Sequence, residues 1–212
     1  MPRKPAHQQI DTLRVIQDVS FERFARYGFD GVSIGDIASA AGLSKSALYW
    51  HFPGKEALYL DCLKRLHLLF DSYIFEPMRA ESDPPRAVLA MFNGFERMLK
   101  DPRIENGVAG YWLTPSGSGM ELFDAAQRAF EAESMKTIET CLRRGVEQGQ
   151  FDFHGDLEDM SRAIISLLEA VVLPLRHMAP QEVQRITGVL ARTLFRAYAT
   201  RTVSSSGREE SP

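Results

Sequence analysis

A short run of side chains near residue 50 offers the most distinct chemistry in this sequence. Hydroxyl, amine, imidazole and aromatic groups follow one another there without an intervening acid. Such groups can donate to phosphate oxygens and contact base edges, as the second helix of a helix-turn-helix does in the DNA major groove. The residues with this potential are Ser44, Lys45, Ser46, Ala47, Tyr49, Trp50, His51 and Lys55.

Two short helices joined by a tight turn are predicted to position these groups. Apolar residues between 34 and 41 recur at helical spacing and form one buried face. Gly42 stands where the turn needs a positive φ, and Ala38 is small enough for two helices to cross closely. Ser33 and Ser44 are N-cap candidates for the two helices, since their hydroxyls can accept from backbone N–H groups.

Two side chains of the second helix have alternative interpretations. Lys45 can pair with guanine or with a phosphate. Trp50 can contact a thymine methyl or sugar edge, or it can pack against its own domain. Ser33, at the start of the first helix, can cap that helix and also donate to a phosphate near the positive end of the helix dipole.

Composition limits the class of protein. The 212 residues are 44% hydrophobic, and the net charge of −3 excludes a generally basic nucleic-acid binder. Residues 1–55 hold 7 lysines and arginines against 5 acids, whereas the remainder holds 18 against 23. The positive balance therefore coincides with the helix-turn-helix. Residues 1–8 are predicted to be a flexible terminus, or a basic arm that touches DNA.

The cysteines and the apolar stretches suggest a cytoplasmic protein. The two cysteines lie far apart in apolar helical contexts, so neither a disulfide framework nor a zinc site is expected. The N-terminus has no apolar stretch typical of a signal peptide. The most apolar run, Ala163 to Leu175, is too short and too interrupted to cross a membrane. No cofactor is expected.

The rest of the chain is predicted to be entirely helical. No alternating pattern is long enough for a sheet. Residues 200–212 are rich in serine and charge and are predicted to be disordered. The further helices are predicted at 9–27, from 55 through at least 73, and at 87–100, 120–148, 157–178 and 181–199.

The first 60 residues resemble the TetR family of bacterial transcriptional regulators. The resemblance runs through FARYGFDGVSIGDIASAAG and LSKSALYWHFPGKEAL, with about a dozen family positions at fixed spacing. Ser33 stands where the family more often has threonine, so the hydroxyl is kept. Beyond about residue 62 no motif match is seen.

The resemblance implies an all-α chain in two parts. Residues 1–55 would form a three-helix DNA-binding helix-turn-helix domain, and residues 56–199 a helical domain for dimerisation and effector binding. Tyr49 and His51 match family positions that usually touch phosphates, and Lys55 resembles the family's phosphate-clamping lysine. The chain would bind double-stranded DNA as a homodimer that reads two halves of a palindromic operator.

The last two predicted helices are the expected dimer surface. Each carries an apolar stripe, and two such pairs can form a four-helix bundle across a two-fold axis. The alternative is that both stripes face the core of their own subunit. The stripes consist of Ile164, Leu167, Leu168, Val171 and Leu175, and of Val189, Leu190, Leu194, Phe195 and Tyr198.

Methionines and aromatic residues in the second part could line an effector pocket. Such a lining suits an apolar or aromatic ligand, with Arg128 and His177 as polar groups. Taken alone, each of these residue types is more often an ordinary core residue than a ligand contact. The candidates of the effector site are Phe92, Phe95, Met98, Tyr111, Trp112, Phe123, Arg128 and His177.

The leading hypothesis is a repressor that a small apolar or aromatic effector releases from its operator. A ligand-independent dimeric regulator, or an activator, is the alternative. An enzyme with a DNA tether is the least supported hypothesis, because no Ser/His/Asp set, metal-ligand spacing or phosphate loop occurs in the sequence.

Overall fold

The computed structural model describes residues 6–104, 107–113, 121–153, 155–172 and 179–198, with side chains except those of 6–10, 180 and 194–198. This part of the chain is helical and has no β-strand, which confirms the predicted all-α class. None of its helices combines the length and apolar character needed to cross a membrane. The helices are α1 Ala6–Tyr27, α2 Ile34–Ala40, α3 Lys45–His51, α4 Lys55–Phe70, α5 Glu76–Ala80, α6 Pro84–Met98, α7 Glu121–Glu147, α8 Leu157–Val172 and α9 Pro180–Tyr198.

Local capping explains why the helix-turn-helix folds where the sequence predicts it. The Ser33 hydroxyl accepts from the backbone N–H of Asp36 at 3.1 Å, and the Asp36 carboxylate accepts from the Ser33 backbone N–H at 2.9 Å. Ser44 caps α3 by accepting from the Ala47 N–H at 3.2 Å. Gly42 has a φ of +65°, as the turn requires. These predicted local features are confirmed.

The segment after α4 departs from the single helix predicted from residue 55. A π-helical segment, Asp71–Phe75, joins α4 to α5, so helical structure continues to Ala80. In a π-helix the hydrogen bonds run to the fifth residue, which widens the backbone and turns the following side chains. Periodicity alone does not reveal this change, because the same residues also fit an ordinary helix.

One aromatic cluster connects the helix-turn-helix to the rest of the chain. Tyr59 of α4 packs edge-on against Phe24 of α1, with ring centroids 5.0 Å apart, and against Phe29 of the α1–α2 linker at 5.2 Å. These residues belong to a core that continues into α6, α7 and α8. The domain boundary at residue 55 stays a prediction, and the predicted tail at 200–212 lies outside the described residues.

The apolar stripes on the last two helices do not have equal exposure. Ile164, Leu168 and Val171 of α8 are buried in their own subunit, as the alternative interpretation holds. Leu167, at the edge of the α8 stripe, is 37% exposed, and Val189 of α9 is 53% exposed. Leu190 is partly buried, Leu175 lies outside the described residues, and so do the side chains of Leu194, Phe195 and Tyr198.

A buried carboxylate fastens the π-helical segment to the loop that follows α6. Asp101 accepts from the Tyr73 hydroxyl at 3.0 Å and from the Arg103 guanidinium at 2.8 and 2.5 Å. The hydrogen bonds from Arg103 lower the pKa of Asp101 to about 2, although burial opposes the change. The ionised carboxylate is therefore the form that stabilises this corner of the fold.

We expect Asp101→Asn to lower the free energy of unfolding at neutral pH by about 1–2 kcal/mol. The folded pKa is depressed, so the contribution is full above the unfolded pKa of about 4 and is lost as the pH falls towards 2. Urea unfolding between pH 7 and pH 2 measures this. The matched control is Glu139→Gln, which removes an exposed ion pair with Arg143 and should cost under about 0.5 kcal/mol. Equal losses in the two variants at pH 7 would contradict the role of Asp101.

Candidate DNA-binding surface and interior cavity

Helix α3 presents its polar and aromatic side chains to solvent. Leu48 is buried and fixes the helix to the core, whereas Tyr49 is 54% exposed and Trp50 is 76% exposed. An indole this exposed does not support the interpretation in which Trp50 packs against its own domain. Lys45 and Ser46 are also exposed on the first turn. The helix therefore presents these side chains to solvent on one face.

A shallow surface depression brings four of the sequence-predicted residues together. Ser33, Lys45, Tyr49 and Lys55 line it, with the α1–α2 linker and the first turn of α2 forming its floor. The side chain of Lys45 lies along Gly35, where a methyl group would stand 3.0 Å from its Cε. The other five predicted residues do not line this depression: Ser44, Ser46, Ala47, Trp50 and His51.

The Ser33 hydroxyl already has an acceptor within the helix that it caps, the Asp36 carboxylate. The hydroxyl donates to this carboxylate at 2.6 Å, so the proton expected for a phosphate is already used. The hydrogen bonds from Ser33 lower the pKa of Asp36. The carboxylate stays ionised and adds a negative charge beside the depression.

Lys55 holds the linker between α1 and α2. Its Nζ donates to the carbonyl oxygens of Phe29 at 2.9 Å and Val32 at 3.0 Å, and lies 4.0 Å from the centroid of the Phe29 ring. An ammonium group has three protons, so one remains for another acceptor. In this structure the first role of Lys55 is to fix the linker that precedes the helix-turn-helix.

The interior of the second part contains a cavity of about 260 Å³. It lies among α4, the π-helical segment, the 3₁₀ turn Ala109–Trp112, α7 and α8. Most of its wall is apolar or aromatic. The lining residues are Tyr59, Leu63, Leu66, His67, Phe70, Ile74, Phe75, Tyr111, Trp112, Phe123, Asp124, Gln127, Phe130, Glu131, Ser134, Ile165, Leu168 and Glu169.

Only part of the predicted effector set reaches this cavity: Tyr111, Trp112 and Phe123 line it. Phe92, Phe95 and Met98 are buried on α6 in the general core and are not part of the lining. Arg128 is exposed on α7 and also lies outside the lining, and His177 lies outside the described residues. Spacing along one helix cannot tell a core face from a cavity face, since both are buried.

Polar groups that the sequence analysis did not select lie among the aromatic rings. His67 stacks on Phe130 with centroids 4.3 Å apart, and its Nε2 is 2.9 Å from Gln127 Oε1. The Trp112 indole N–H donates to Glu169 Oε1 at 3.4 Å. Burial lowers the pKa of His67 and raises the pKa of Glu169. Glu169 had a sequence signal, since it interrupts the most apolar run of the chain.

The 3₁₀ turn links this cavity to the end of α1. The Tyr111 hydroxyl donates to the Phe21 carbonyl at 3.2 Å. A methyl group on Gly110 would stand 2.1 Å from the Phe24 carbonyl oxygen and 2.6 Å from that of Ala25. Only glycine allows the turn and the α1 backbone to come this close. Tyr111, the next residue, contacts α1, which supports α2 and α3, and also lines the cavity.

Comparison with known proteins agrees with this arrangement. Residues 16–62 match the family model of bacterial regulatory proteins of the tetR family. The chain is 39% identical over 61 residues to the HTH-type transcriptional regulator AcrR of Shigella flexneri, which covers 29% of this chain and 28% of AcrR. The matched segment thus spans little more than a quarter of that relative's length.

The solved structures extend the likeness in fold to most of the chain. A TetR transcriptional regulator from Chloroflexus aurantiacus has a TM-score of 0.75 at 20% identity, covering 91% of this chain and 98% of that one. AibR in complex with isovaleryl coenzyme A and operator DNA has a TM-score of 0.69 at 18% identity, covering 87% and 98%. At these identities the likeness shows a shared fold.

The structural role of Lys55 can be separated from a role in DNA binding. We expect Lys55→Met to lower the free energy of unfolding by about 1–3 kcal/mol, because two carbonyls lose a charged donor. Lys45→Met removes the same charge from an exposed side chain and should change the free energy of unfolding by less than about 0.5 kcal/mol. Urea unfolding of the wild type, Lys55→Met and Lys45→Met, all without DNA, measures these changes in stability. A stability for Lys55→Met equal to that of Lys45→Met would show that the linker does not depend on Lys55.

Proposed function

We propose that the chain is a dimeric, sequence-specific transcriptional repressor of the TetR family, whose family model its residues 16–62 match. A small molecule that enters the interior cavity would release it from a palindromic operator. The observation that carries the proposal is the outward orientation of α3, with Tyr49 and Trp50 exposed around the buried Leu48. A ligand-independent regulator would have little use for the cavity of about 260 Å³.

In this proposal, α3 enters the major groove while the depression beside it faces the phosphate backbone. Lys45 and Tyr49 would supply donors to phosphates, and one proton of the Lys55 ammonium is available as well. Trp50, the most exposed large hydrophobic side chain in the part of the chain that the structure describes, would contact a thymine methyl or a sugar edge. Ser33 contributes mainly by capping α2, because its proton is donated to Asp36.

A homodimer would be assembled through the outer faces of α8 and α9. Exposed apolar side chains on these faces include Leu167, Ile186 and Val189. Their burial against a second copy would remove apolar surface from water and hold two α3 helices at a fixed separation. One α3 helix offers few base contacts, so two half-sites are needed for selectivity.

Release of DNA would begin at the cavity wall. A ligand that moves Tyr111 or Trp112 also moves Gly110, which has no free space against the α1 backbone. The displacement would pass through α1 to α2 and α3 and change the separation of the two α3 helices in the dimer. The effector then acts by binding better to the state that fits the operator poorly.

The DNA-binding part of the proposal predicts a selective loss in Lys45→Ala. We expect affinity for the chain's own upstream region to fall about tenfold, measured by fluorescence anisotropy between 50 and 200 mM salt. A phosphate contact would weaken binding to all sequences and reduce the salt slope by about 1, whereas a base contact would relax the preference at one operator position.

Lys136→Ala is the matched control for this experiment, because Lys136 is an exposed lysine on α7, away from α3. It should bind DNA like the unaltered protein, and Trp50→Ala should alter sequence preference. Wild-type protein with no salt-sensitive preference for its upstream region over random DNA would contradict the proposed function. Equal affinities of Lys45→Ala and Lys136→Ala would contradict the assigned surface.

The relay through the 3₁₀ turn predicts an effect of Gly110→Ala. The added methyl group cannot fit against the Phe24 carbonyl, so the turn must move away from α1. We expect the variant to stay folded, to bind operator at least threefold more weakly, and to respond less to any ligand that stabilises the wild-type chain. Ala132→Ser is the control, since Ala132 is exposed on α7 and lies outside the cavity lining. Unchanged DNA affinity and ligand response in Gly110→Ala would exclude this relay.

A further inference from the structure

The charged residues that line the cavity are all acids. Asp124 and Glu131 come from α7 and Glu169 comes from α8, whereas the lining among the described residues contains neither lysine nor arginine. His67 adds no positive charge at neutral pH, because burial lowers its pKa. The charge carried by the described lining residues is therefore negative, which favours a positively charged ligand.

Aromatic rings line the same cavity as these acids. Phe130 is stacked on His67 and lies edge-on to Phe70 at 6.2 Å and to Phe75 at 6.0 Å. The Trp112 ring lies 6.1 Å from Phe70 while its indole N–H reaches Glu169. Aromatic faces carry negative potential, so walls of this kind attract organic cations as well as apolar groups.

A buried hydroxyl in the same wall lacks a hydrogen-bond partner among the described residues. Ser134 of α7 is 4% exposed, its Oγ is unpaired, and it lines the cavity. A buried polar atom without a partner costs free energy, and a ligand that donates a hydrogen bond there would recover it. A hydroxyl oxygen accepts readily from the N–H of an ammonium group.

We propose that the effector is a protonated amine on an aromatic or alicyclic body, with its ammonium group among Glu169, Glu131 and Ser134 and its body against the aromatic wall. The proposal names the ligand class of the cavity on which the proposed function relies. The sequence predicted a small apolar or aromatic effector with the basic residues Arg128 and His177 as polar groups, whereas the polar groups that line the cavity include three acids.

A cationic, a neutral and an anionic ligand would differ in their effect on the energetic cost of burying the Glu169 carboxylate. Burial raises the pKa of this carboxyl, and the negative charge of Glu131 raises it further, although the hydrogen bond from Trp112 opposes both. A bound cation would offset the free-energy cost of burying the negative charge of Glu169. A neutral ligand leaves that cost in place, and an anion adds repulsion from the acids.

The test uses three probes with one ring system: 2-naphthylmethylamine, 2-naphthylmethanol and 2-naphthoate. Isothermal titration with the full chain at pH 7, without DNA, measures their affinities. We expect the amine to bind at least about tenfold more tightly than the alcohol, and the carboxylate to bind most weakly. The proposal is overturned if the alcohol or the carboxylate binds as tightly as the amine, or if the amine fails to bind at millimolar concentration.

Variants then test the assigned groups. Glu169→Gln should weaken the amine about tenfold and leave the alcohol within about twofold, because only the charge is removed. Glu131→Gln should act in the same direction, and it changes an exposed side chain, so folding is not at risk. Glu133→Gln is the matched control: Glu133 is exposed on α7 outside the lining and should leave both affinities unchanged. Wild-type amine affinity in both Glu169→Gln and Glu131→Gln would overturn the proposal.

A separate titration of operator DNA distinguishes this proposal from the proposed function. If the amine binds the free chain with the expected dependence on Glu169, the ligand class is supported even where the chain shows no preference for any operator. If the chain binds its operator but the amine fails the tests above, the ligand class is wrong while the DNA-binding function stands.

Discussion

The connection between the helix-turn-helix and the cavity depends on a close approach of two backbones, between Gly110 and the last turn of α1. There is no room for a side chain at this contact, and the Tyr111 hydroxyl fastens it to the Phe21 carbonyl. On one side of this contact, Tyr111 and Trp112 line the cavity. On the other side, α1 supports the two short helices of the helix-turn-helix. Because packed backbone contacts deform little, a change of shape on one side must be accommodated on the other.

Helix α4 is the second element that belongs to both parts. At its first residue, Lys55 holds the α1–α2 linker through two carbonyls, and one turn later Tyr59 packs against Phe24 and Phe29. The ring of Tyr59 also lines the cavity. The same helix therefore fixes the position of α2 and α3 and contributes to the ligand-sized space, which is why a boundary drawn at residue 55 divides a continuous core.

The surface around α3 and the cavity differ in whether their polar groups already have hydrogen-bond partners within the chain. Around α3, Ser33 and Lys55 are already engaged within the chain, which leaves Lys45, Tyr49 and Trp50 as the exposed groups available to a partner. Inside the cavity the situation is reversed, because the Ser134 hydroxyl has no partner among the described residues and the half-buried Glu169 accepts from the neutral Trp112 indole N–H. Groups of this kind are costly unless a ligand completes their interactions, so they indicate chemical selectivity.

The sequence by itself determined the features that local rules control. Capping serines, the positive φ of Gly42, the helix-turn-helix and the helical class all follow from residue types within a few positions of one another. Only the tertiary structure decided which buried faces meet at a cavity, that Phe92, Phe95 and Met98 are core residues, and that Glu131, Ser134 and Glu169 share one wall. The reason is physical: helical periodicity distinguishes the buried face of a helix from its exposed face, but what that face contacts depends on the packing of residues far apart in the chain.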